Sequence, residues 1–240
     1  MNLIFDFGNS LTKYFFIQDD KVIDRGSFIS NKVDDNMLAI KNKRSIEKLI
    51  YSSVVDDKRD ELSSIFKNSK IISLRDKTIK LPFTNEYKSE TLGDDRVALV
   101  SAGLSLYPNK DLLIIDIGTC ITYDIVTMNK KYLGGSISPG FNLRYSSLSD
   151  RTSNLPKLEF KIPKSLIGDS TEEHIHAGIY YGIIGEISYN IERQKVRFPN
   201  IEIIVSGGGS TFLLNKIKNV IFADQDFLAH GLNHILQTNS

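Results

Sequence analysis

A ten-residue pattern occurs twice in this chain, once at its beginning and once near its middle. The first copy reads Ile4-Phe-Asp-Phe-Gly-Asn-Ser-Leu-Thr-Lys13, and the second reads Ile114-Ile-Asp-Ile-Gly-Thr-Cys-Ile-Thr-Tyr123. In a gapless alignment the identical pairs include Asp6 with Asp116, Gly8 with Gly118, and Thr12 with Thr122. Each copy is an apolar run that ends in Asp-x-Gly, followed by small polar residues and a second β-prone run, which predicts a β-hairpin with an acidic residue at its mouth. A tight turn would explain one copy, but two copies opening two halves of a chain predict two related lobes.

Each copy contains residues that can bind phosphate with the help of a cation. Glycine lets the backbone approach an anion closely, and the N–H groups of a turn can cradle phosphate oxygens. An aspartate beside a polyphosphate repels it unless a cation lies between them, so Asp6 and Asp116 predict Mg²⁺ or another metal ion, bound directly or through water. Lys13 can neutralise phosphate charge from the first hairpin. Further amide and hydroxyl contacts are available from Asn9, Ser10 and Thr119.

The composition limits the class of protein. Of the 240 residues 41% are apolar, and 30 basic residues against 29 acidic ones give a formal net charge of +1, so the chain lacks the overall basic balance typical of nucleic-acid binding. Cys120 is the single cysteine, which excludes an intrachain disulfide and a cysteine-built zinc site. The apolar runs are short and Asp6 interrupts the first of them. We therefore expect no membrane span, no secretory signal and a cytoplasmic location.

Apolar segments alternate with helical patterns along the chain. Near-continuous apolar runs, typical of strands buried on both faces, are Leu3–Phe7, Lys48–Val55, Lys70–Leu74, Leu112–Ile117 and Ile201–Ser206. Helices are predicted between Gly93 and Pro108 and from about Ser170 onward. Turn residues in Tyr107–Asp111 indicate a boundary. The chain is therefore predicted to be an α/β protein with one lobe over residues 1–110 and a second over residues 111–240.

A glycine-rich segment follows the last of these strands. Ile203–Ser210 reads as a strand that runs into three glycines, and Phe212–Ile217 continues in helical spacing. Glycines at this point let a flat ring such as adenine lie against the backbone. We therefore expect Gly207 and Gly208 to border a nucleotide base.

Two Asp-x-Gly hairpins followed by a glycine-rich segment resemble the layout of the actin-like ATPases and sugar kinases. More narrowly, the chain resembles the type III pantothenate kinases, a family that includes the Bvg accessory factors. Three segments carry this narrower resemblance: Thr91–Arg96 with its Gly-x-Asp-Arg motif, Tyr132–Gly140 with its Gly-Gly-x-Ile-x-Pro-Gly turn, and Gly168–His174. The resemblance implies two ribonuclease H-like lobes of the actin-like ATPase type with a nucleotide cleft between them.

The Gly-x-Asp-Arg motif lies where the helix after Gly93 is predicted to begin. An acidic residue there stabilises a helix by about 0.3–1 kcal/mol, and Asp94 alone could supply that effect. A second acid and an arginine need another explanation. By the resemblance, Asp95 is the general base that accepts the proton of the substrate hydroxyl, and Arg96 binds the substrate carboxylate in bidentate geometry. The pantothenate-binding residues of this motif are Gly93, Asp94, Asp95 and Arg96.

The resemblance implies two more pantothenate contacts. Thr171 matches a threonine of the family, whereas the preceding family asparagine is replaced by Ser170, which with Glu173 fits a helix capping box. Tyr87 matches a substrate-contacting tyrosine, although the family proline is missing and the segment before Gly93 is one residue short.

The resemblance also implies the reaction, which is ATP-dependent phosphorylation of pantothenate to 4'-phosphopantothenate, the first step of coenzyme A biosynthesis. Asp6 would hold Mg²⁺ through water, and Asp116 would bind K⁺ or NH₄⁺. The nucleotide-binding residues would be Asp6, Phe7, Gly8, Asn9, Ser10, Leu11, Thr12, Lys13, Thr119, Gly207 and Gly208. Gly178 and Gly182 suggest close helix packing, within the chain or in the homodimer that is typical of the family.

Two other functions are compatible with parts of the sequence. One is a kinase of the same superfamily that acts on a sugar, against which the short chain and the Gly93–Arg96 motif argue. The other is a catalytically idle nucleotide-binding regulator, but loss of catalysis would be expected to remove Asp6, Lys13, Asp95 or Asp116, and all four are present. In each case the expected partner is a small molecule, not a nucleic acid or a membrane.

Overall fold

A computed structural model describes residues 1–8, 11–29, 33–54, 56–86 and 92–239, with residues 33 and 34 described by their backbone alone. The strands are β1 (Asn2–Phe7), β2 (Leu11–Gln18), β3 (Lys21–Ile29), β4 (Lys48–Ser53), β5 (Lys70–Ser73), β6 (Thr84–Asn85), β7 (Leu112–Ile117), β8 (Cys120–Val126), β9 (Lys131–Pro139), β10 (Glu202–Ser206) and β11 (Ile221–Phe222). The helices are α1 (Val33–Lys41), α2 (Arg59–Ile65), α3 (Asp94–Leu106), α4 (Phe141–Arg151), α5 (Thr171–Arg197) and α6 (Phe227–Thr238), with a 3-10 helix over Gly208–Leu213. The prediction of an α/β protein is confirmed.

The chain forms two compact units. The first contains Met1–Pro108 together with Asp226–Ser240, and the second contains Asn109–Gln225. The division after Pro108 falls in the predicted turn segment, but the predicted second lobe ran to residue 240, whereas residues 226–240 belong to the first unit.

Close backbone packing explains why the last helix belongs to the first unit. A Cβ atom on Gly231 of α6 would lie 1.8 Å from the carbonyl oxygen of Ala98 in α3, so the two helices approach more closely there than any side chain would permit. The Asn233 side chain adds a hydrogen bond to Asp20 Oδ1 at 2.9 Å. These contacts join distant parts of the chain and leave no local signal in the sequence.

The sheet of the first unit has the strand order β3-β2-β1-β4-β5. Strand β1 is antiparallel to β2 and parallel to β4, with Asp6 opposite Ser52. Leu3, Ile4 and Phe5 are fully buried. Since successive residues of a strand face opposite sides of a sheet, both faces of β1 are covered, as its continuous apolar run predicts.

Within the second unit the strand order is β11-β10-β7-β8-β9. Strand β7 is parallel to β10 and antiparallel to β8. One apolar core combines residues of β7, β8 and β10 with the buried face of α5, which includes Ile179, Ile183 and Ile187. The helical pattern of this segment after Ser170 is thereby confirmed.

One predicted helix is wrong. The residues Phe212–Ile217 have helical spacing, but the structure has a short 3-10 helix that begins at Gly208 and ends at Leu213. Asn215 then adopts a positive φ of 65°, which a right-handed helix cannot accommodate. In the part of the chain that the structure describes, no helix is long and apolar enough to cross a membrane.

Candidate active site

The first Asp-x-Gly hairpin is formed by β1 and β2. Asp6 lies opposite Lys13, and Phe7 lies opposite the buried Thr12. The N–H of Gly8 donates to the carbonyl of Leu11 at 3.1 Å, and a Cβ on Gly8 would lie 2.8 Å from that same oxygen. The turn therefore requires glycine at position 8. Asn9 and Ser10, which were predicted to contact phosphate, lie outside the described residues.

Asp6 lies among both opposing and like charges. The Ser52 hydroxyl donates to Asp6 Oδ1 at 2.9 Å. Burial is the main cause that raises the pKa of Asp6; the Ser52 hydrogen bond and Lys13 act against it, and the carboxylates of Asp95 and Asp94 add to it. The ionised form of Asp6 is thus disfavoured in the protein alone and would be stabilised by an added cation.

The Gly-x-Asp-Arg motif forms the start of α3, as predicted. Gly93 is the N-cap in extended geometry, and Asp95 Oδ1 accepts a hydrogen bond from the N–H of Arg96 at 2.8 Å. A Cβ on Gly93 would lie 2.6 Å from Asp95 Oδ1, so glycine makes room for the carboxylate of Asp95. Asp95 is partly exposed, whereas Arg96 is 7% exposed, so a ligand could reach only a small part of that arginine.

Asp94 turns away from its own helix. Its Oδ2 accepts a hydrogen bond from the N–H of Ser53 at 3.2 Å and lies 3.7 Å from Arg75 Nε. Burial raises the pKa of Asp94, while the Ser53 N–H and Arg75 act in the opposite direction. The Asp94 carboxylate is therefore held by two other segments of the chain, the end of β4 and the turn after β5.

The second hairpin, formed by β7 and β8, has a different register. Asp116 lies opposite Thr122 and Ile117 lies opposite Ile121, while the N–H of Gly118 donates to the carbonyl of Cys120 at 2.9 Å. Thr122 is 7% exposed, and its Oγ1 has no hydrogen-bond partner among the described residues. Directly paired residues share a face of the sheet, so this buried hydroxyl is a neighbour of the Asp116 carboxylate. Thr119 is exposed in the turn.

The groups around Asp6 and Asp116 can be compared with the ligands that the expected cations need. Among the described residues, no group of three or more His, Cys, Asp or Glu side chains could hold a metal ion. A magnesium ion at Asp6 fits only if phosphate and water supply its other ligands, which is usual for Mg²⁺ in nucleotide sites. At Asp116, the carboxylate and the buried Thr122 Oγ1, which has no hydrogen-bond partner among the described residues, provide some of the oxygen ligands that a hard monovalent cation needs.

The three glycines after β10 have two distinct roles. Gly207 has a φ of 87°, and a Cβ there would lie 2.5 Å from the carbonyl oxygen of Ile117. A Cβ on Gly209 would lie 2.6 Å from Ile117 Cγ2, whereas one on Gly208 would meet no described residue within 4 Å. Gly207 and Gly209 are therefore required for packing against β7, and Gly208 is the one that borders open space.

The other predicted site segments are the one that ends at Gly140, the start of α5 and the residue Tyr87. Gly140 donates its N–H to the carbonyl of Thr119 at 3.0 Å, and a Cβ there would lie 2.3 Å from the oxygen of Gly118, so the Gly-Gly-x-Ile-x-Pro-Gly segment packs on the second hairpin. Thr171 is exposed as the first residue of α5. Tyr87 lies outside the described residues.

Half of the capping box suggested by Ser170 and Glu173 is present. Ser170 Oγ accepts a hydrogen bond from the N–H of Glu173 at 3.2 Å. The Glu173 carboxylate instead contacts Lys161 Nζ at 3.3 Å. Thr171 is therefore the first residue of a helix whose N-terminus is capped by the Ser170 side chain.

The sequence patterns did not identify Ser52, Ser53 and Arg75. The available signal was the polar end of the Lys48–Val55 run, because the carboxyl ends of parallel strands meet at one edge of a sheet. Recognising it required the parallel pairing of β1 with β4, which places Ser52 beside Asp6.

Comparison with known proteins agrees with this arrangement of motifs. Residues 2–193 match the model of the type III pantothenate kinase family. A type III pantothenate kinase of Christiangramia forsetii is 42% identical over 241 residues, covering 100% of this chain and 99% of that protein.

Solved structures show the fold. A Baf family transcriptional activator from Campylobacter jejuni has a TM-score of 0.63 at 24% identity, covering 99% of this chain and 98% of that one. A ROK family glucokinase from Streptomyces griseus in complex with glucose and AMPPNP has a TM-score of 0.54 at 11% identity, with 99% and 98% covered. These likenesses confirm the predicted fold class, and the full-length match to the Christiangramia forsetii enzyme shows that the chain belongs to the type III pantothenate kinase family.

Proposed function

We propose that this chain transfers the γ-phosphoryl group of ATP to the primary hydroxyl of pantothenate, the first step of coenzyme A biosynthesis. Family membership supports the reaction, and the observation that carries it is the start of α3, where glycine makes room for a partly exposed carboxylate, Asp95. Phosphoryl transfer depends mainly on positioning and on neutralising charge, and a carboxylate on a rigid helix start suits that requirement.

Asp95 acts as the general base. Its carboxylate accepts the proton of the pantothenate hydroxyl as the hydroxyl oxygen forms a bond to the γ-phosphorus and the bond to the bridging oxygen of ADP breaks. ADP and 4'-phosphopantothenate leave, and the proton passes from Asp95 to solvent. The N–H of Arg96, which donates to Asp95 Oδ1, fixes the orientation of the base.

The first hairpin binds the ATP phosphates. Lys13 and the N–H groups of the turn neutralise and orient phosphate oxygens, and Asp6 would hold Mg²⁺ through water, which would supply further charge neutralisation to the phosphates. The unfavourable burial of the Asp6 carboxylate and its proximity to other acids support a cation there. The other nucleotide contacts proposed for this hairpin are Phe7, Gly8, Asn9, Ser10, Leu11 and Thr12.

Asp116 holds a monovalent cation, K⁺ or NH₄⁺. The support is the buried Thr122 oxygen that lies opposite it without a hydrogen bond among the described residues. Thr119 contributes a phosphate contact, and Gly208, which borders open space, lets the base lie against the backbone, next to Gly207.

Pantothenate is bound by Gly93, Arg96, Thr171 and Tyr87. Arg96 pairs with the substrate carboxylate through its small exposed part, and the hydroxyl of Thr171 donates a hydrogen bond to pantothenate from the start of α5.

Because the reaction consumes ATP, we expect it to occur in the cytoplasm.

The chain works as a homodimer. On α5, a Cβ on Gly178 or Gly185 would meet nothing within 4 Å in the part of the chain that the structure describes, so a helix of a second copy could pack closely against these two glycines. Sedimentation of the purified protein tests this proposal, since a Gly178→Leu variant should shift from dimer to monomer. A monomeric wild-type protein would contradict it.

A phosphorylation assay separates the proposed function from its rivals. Purified protein with ATP and Mg²⁺ is given pantothenate or each member of a hexose panel, in K⁺ and in Na⁺. We expect phosphorylation of pantothenate alone, supported by K⁺. Activity on a hexose would favour the sugar-type kinase, and ATP binding without turnover of any substrate would favour the idle regulator.

A further inference from the structure

Asp94 occupies the variable position of the Gly-x-Asp-Arg motif, and its contacts differ from those of a substrate ligand. Its side chain is 14% exposed, and Oδ2 contacts two groups of the protein, the N–H of Ser53 and Arg75 Nε. A carboxylate that only balanced the helix dipole would remain beside its own first turn. Asp94 instead reaches from the start of α3 to the end of β4.

Ser53 is held from two directions. Its N–H donates to Asp94, and its carbonyl accepts a hydrogen bond from Arg75 Nη2 at 2.5 Å. Because Arg75 also lies 3.7 Å from Asp94, the three residues form a closed triangle of contacts. Each side of the triangle joins a different pair of elements, namely α3, β4 and the turn after β5.

The position of this triangle links it to the reacting groups. Ser53 directly follows Ser52, whose hydroxyl holds Asp6, and Asp94 directly precedes Asp95. The triangle thus joins the strand end that carries the Asp6 partner to the helix start that carries the proposed base. A change of about 1 Å in such an arrangement can lower a rate by about 100-fold without any lost substrate contact.

We propose that Asp94 is a positioning residue, which with Arg75 fixes Asp95 relative to Asp6, and that it does not bind pantothenate. This rests on the proposed function of Asp95. It reassigns one of the four motif residues from substrate binding to the framework that aligns the base.

The kinetic test uses Asp94→Asn, Arg75→Met and the double variant, with Asp60→Asn as matched control because Asp60 is an exposed acid in the first turn of α2. We expect each single variant to lower kcat by about 10-fold while the pantothenate KM changes by less than about twofold. The double variant should be no slower than the slower single one, since both changes break the same triangle. The control should behave as wild type.

Substrate binding by Asp94 would give a different pattern. Asp94→Asn would then raise the pantothenate KM by about 10-fold or more, Arg75→Met would not reproduce the effect, and the two changes would multiply in the double variant. Unchanged kcat in both single variants would equally overturn the proposal.

Hydrogen exchange provides a readout that does not depend on catalysis. The Ser53 amide should exchange at least about 10-fold faster in Asp94→Ala, and Asp94→Asn, which keeps an acceptor oxygen, should restore part of the protection. Equal exchange in wild type and Asp94→Ala would overturn the triangle even if the variants were inactive. If Asp94→Ala loses Ser53 protection but the wild-type protein does not phosphorylate pantothenate, the proposed function is rejected while the triangle of contacts is supported.

Discussion

The two Asp-x-Gly hairpins are similar in sequence but differ in what lies opposite the aspartate. In the first hairpin residues 8–11 separate the paired Phe7 and Thr12, and Asp6 lies opposite Lys13. In the second, residues 118–120 separate Ile117 and Ile121, and Asp116 lies opposite Thr122. The second turn is one residue shorter, so the gapless alignment fails just after the glycine.

This register change alters the charge balance. A shift of one residue moves a side chain to the other face of a sheet, so Thr12 shares a face with Phe7 whereas Thr122 shares a face with Asp116. The first aspartate has an ammonium group opposite it, and the second has a buried, neutral hydroxyl. The comparison teaches that Lys13 offsets part of the charge of Asp6 in the first hairpin, whereas the residue opposite Asp116 in the second hairpin supplies no positive charge.

The largest expected effect comes from neutralising the two aspartates separately. We expect both Asp6→Asn and Asp116→Asn to lower kcat by about 100-fold or more, because each removes the group that holds a charge-neutralising cation. Asp116→Asn should also abolish the response to K⁺, whereas Asp6→Asn should keep that response and need more Mg²⁺. Titrations of both ions against initial rate measure this, and an identical ion response in the two variants would remove the distinction between the hairpins.

The threonines provide a smaller and sharper test. In Thr122→Val the buried oxygen is replaced by a methyl group of similar shape, so we expect the K⁺ concentration for half-maximal activity to rise about 10-fold. Thr12→Val is the matched control and should leave K⁺ activation unchanged, since Thr12 faces away from Asp6. Without K⁺, Thr122→Val should be as stable as wild type or more stable, because a buried oxygen that has no hydrogen-bond partner among the described residues is removed. A K⁺ response that is lost equally in both variants would contradict the assignment of Thr122.

The raised pKa of Asp6 predicts a change in stability. Between the unfolded and the higher folded pKa, the folded protein binds more protons than the unfolded chain, so the free energy of unfolding falls as pH rises through that interval. Asp6→Asn should therefore be more stable than wild type at pH 7 without ligand, and the difference should vanish below the ordinary aspartate pKa of about 3.9. Thermal unfolding measures this, with each 1 kcal/mol shifting the melting temperature by about 2–4 °C. A less stable Asp6→Asn variant at pH 7 would be inconsistent with the charge balance described for this hairpin.

The smallest expected effect concerns the two turn glycines. A Cβ on Gly8 would lie 2.8 Å from a backbone oxygen, which cannot easily move, whereas one on Gly118 would lie no closer than 3.5 Å to Asp116 Oδ2. We expect Gly8→Ala to lower the free energy of unfolding by about 1–2 kcal/mol and Gly118→Ala to change it by less than about 0.5 kcal/mol. Denaturant unfolding of both variants checks the difference. An equal loss of unfolding free energy in the two variants would show that the two turns do not differ in their need for glycine.

Much of the fold was predictable because its signals are local. The run Leu112–Ile117 is strand β7 with the predicted limits, and the helix after Gly93 begins and ends close to its predicted bounds, since glycine and proline mark its ends. The failed helix over Phe212–Ile217 shows the limit of such signals. The 3-10 helix there ends at Leu213, and the extended ψ of 131° at Leu214 together with the positive φ of Asn215 excludes a continuous helix through Ile217.

What could not be predicted depends on pairing between distant segments. The register that brings Thr122 opposite Asp116 depends on a one-residue difference in turn length, which a gapless alignment conceals. Ser52 reaches Asp6 only because β1 and β4 are parallel neighbours. The contact of Asp94 with Arg75 needs the turn after β5 to fold back toward α3. Sequence patterns identified the acids themselves, and tertiary structure determined their partners.

The most direct test of the account is the initial rate of pantothenate phosphorylation by Asp95→Asn, measured beside ATP binding by calorimetry. The amide is close in size to the carboxylate but cannot accept the hydroxyl proton, so we predict a rate at least about 100-fold below wild type with ATP binding retained. A rate near that of the wild type would contradict the assignment of Asp95 as the general base and, with it, the proposed mechanism.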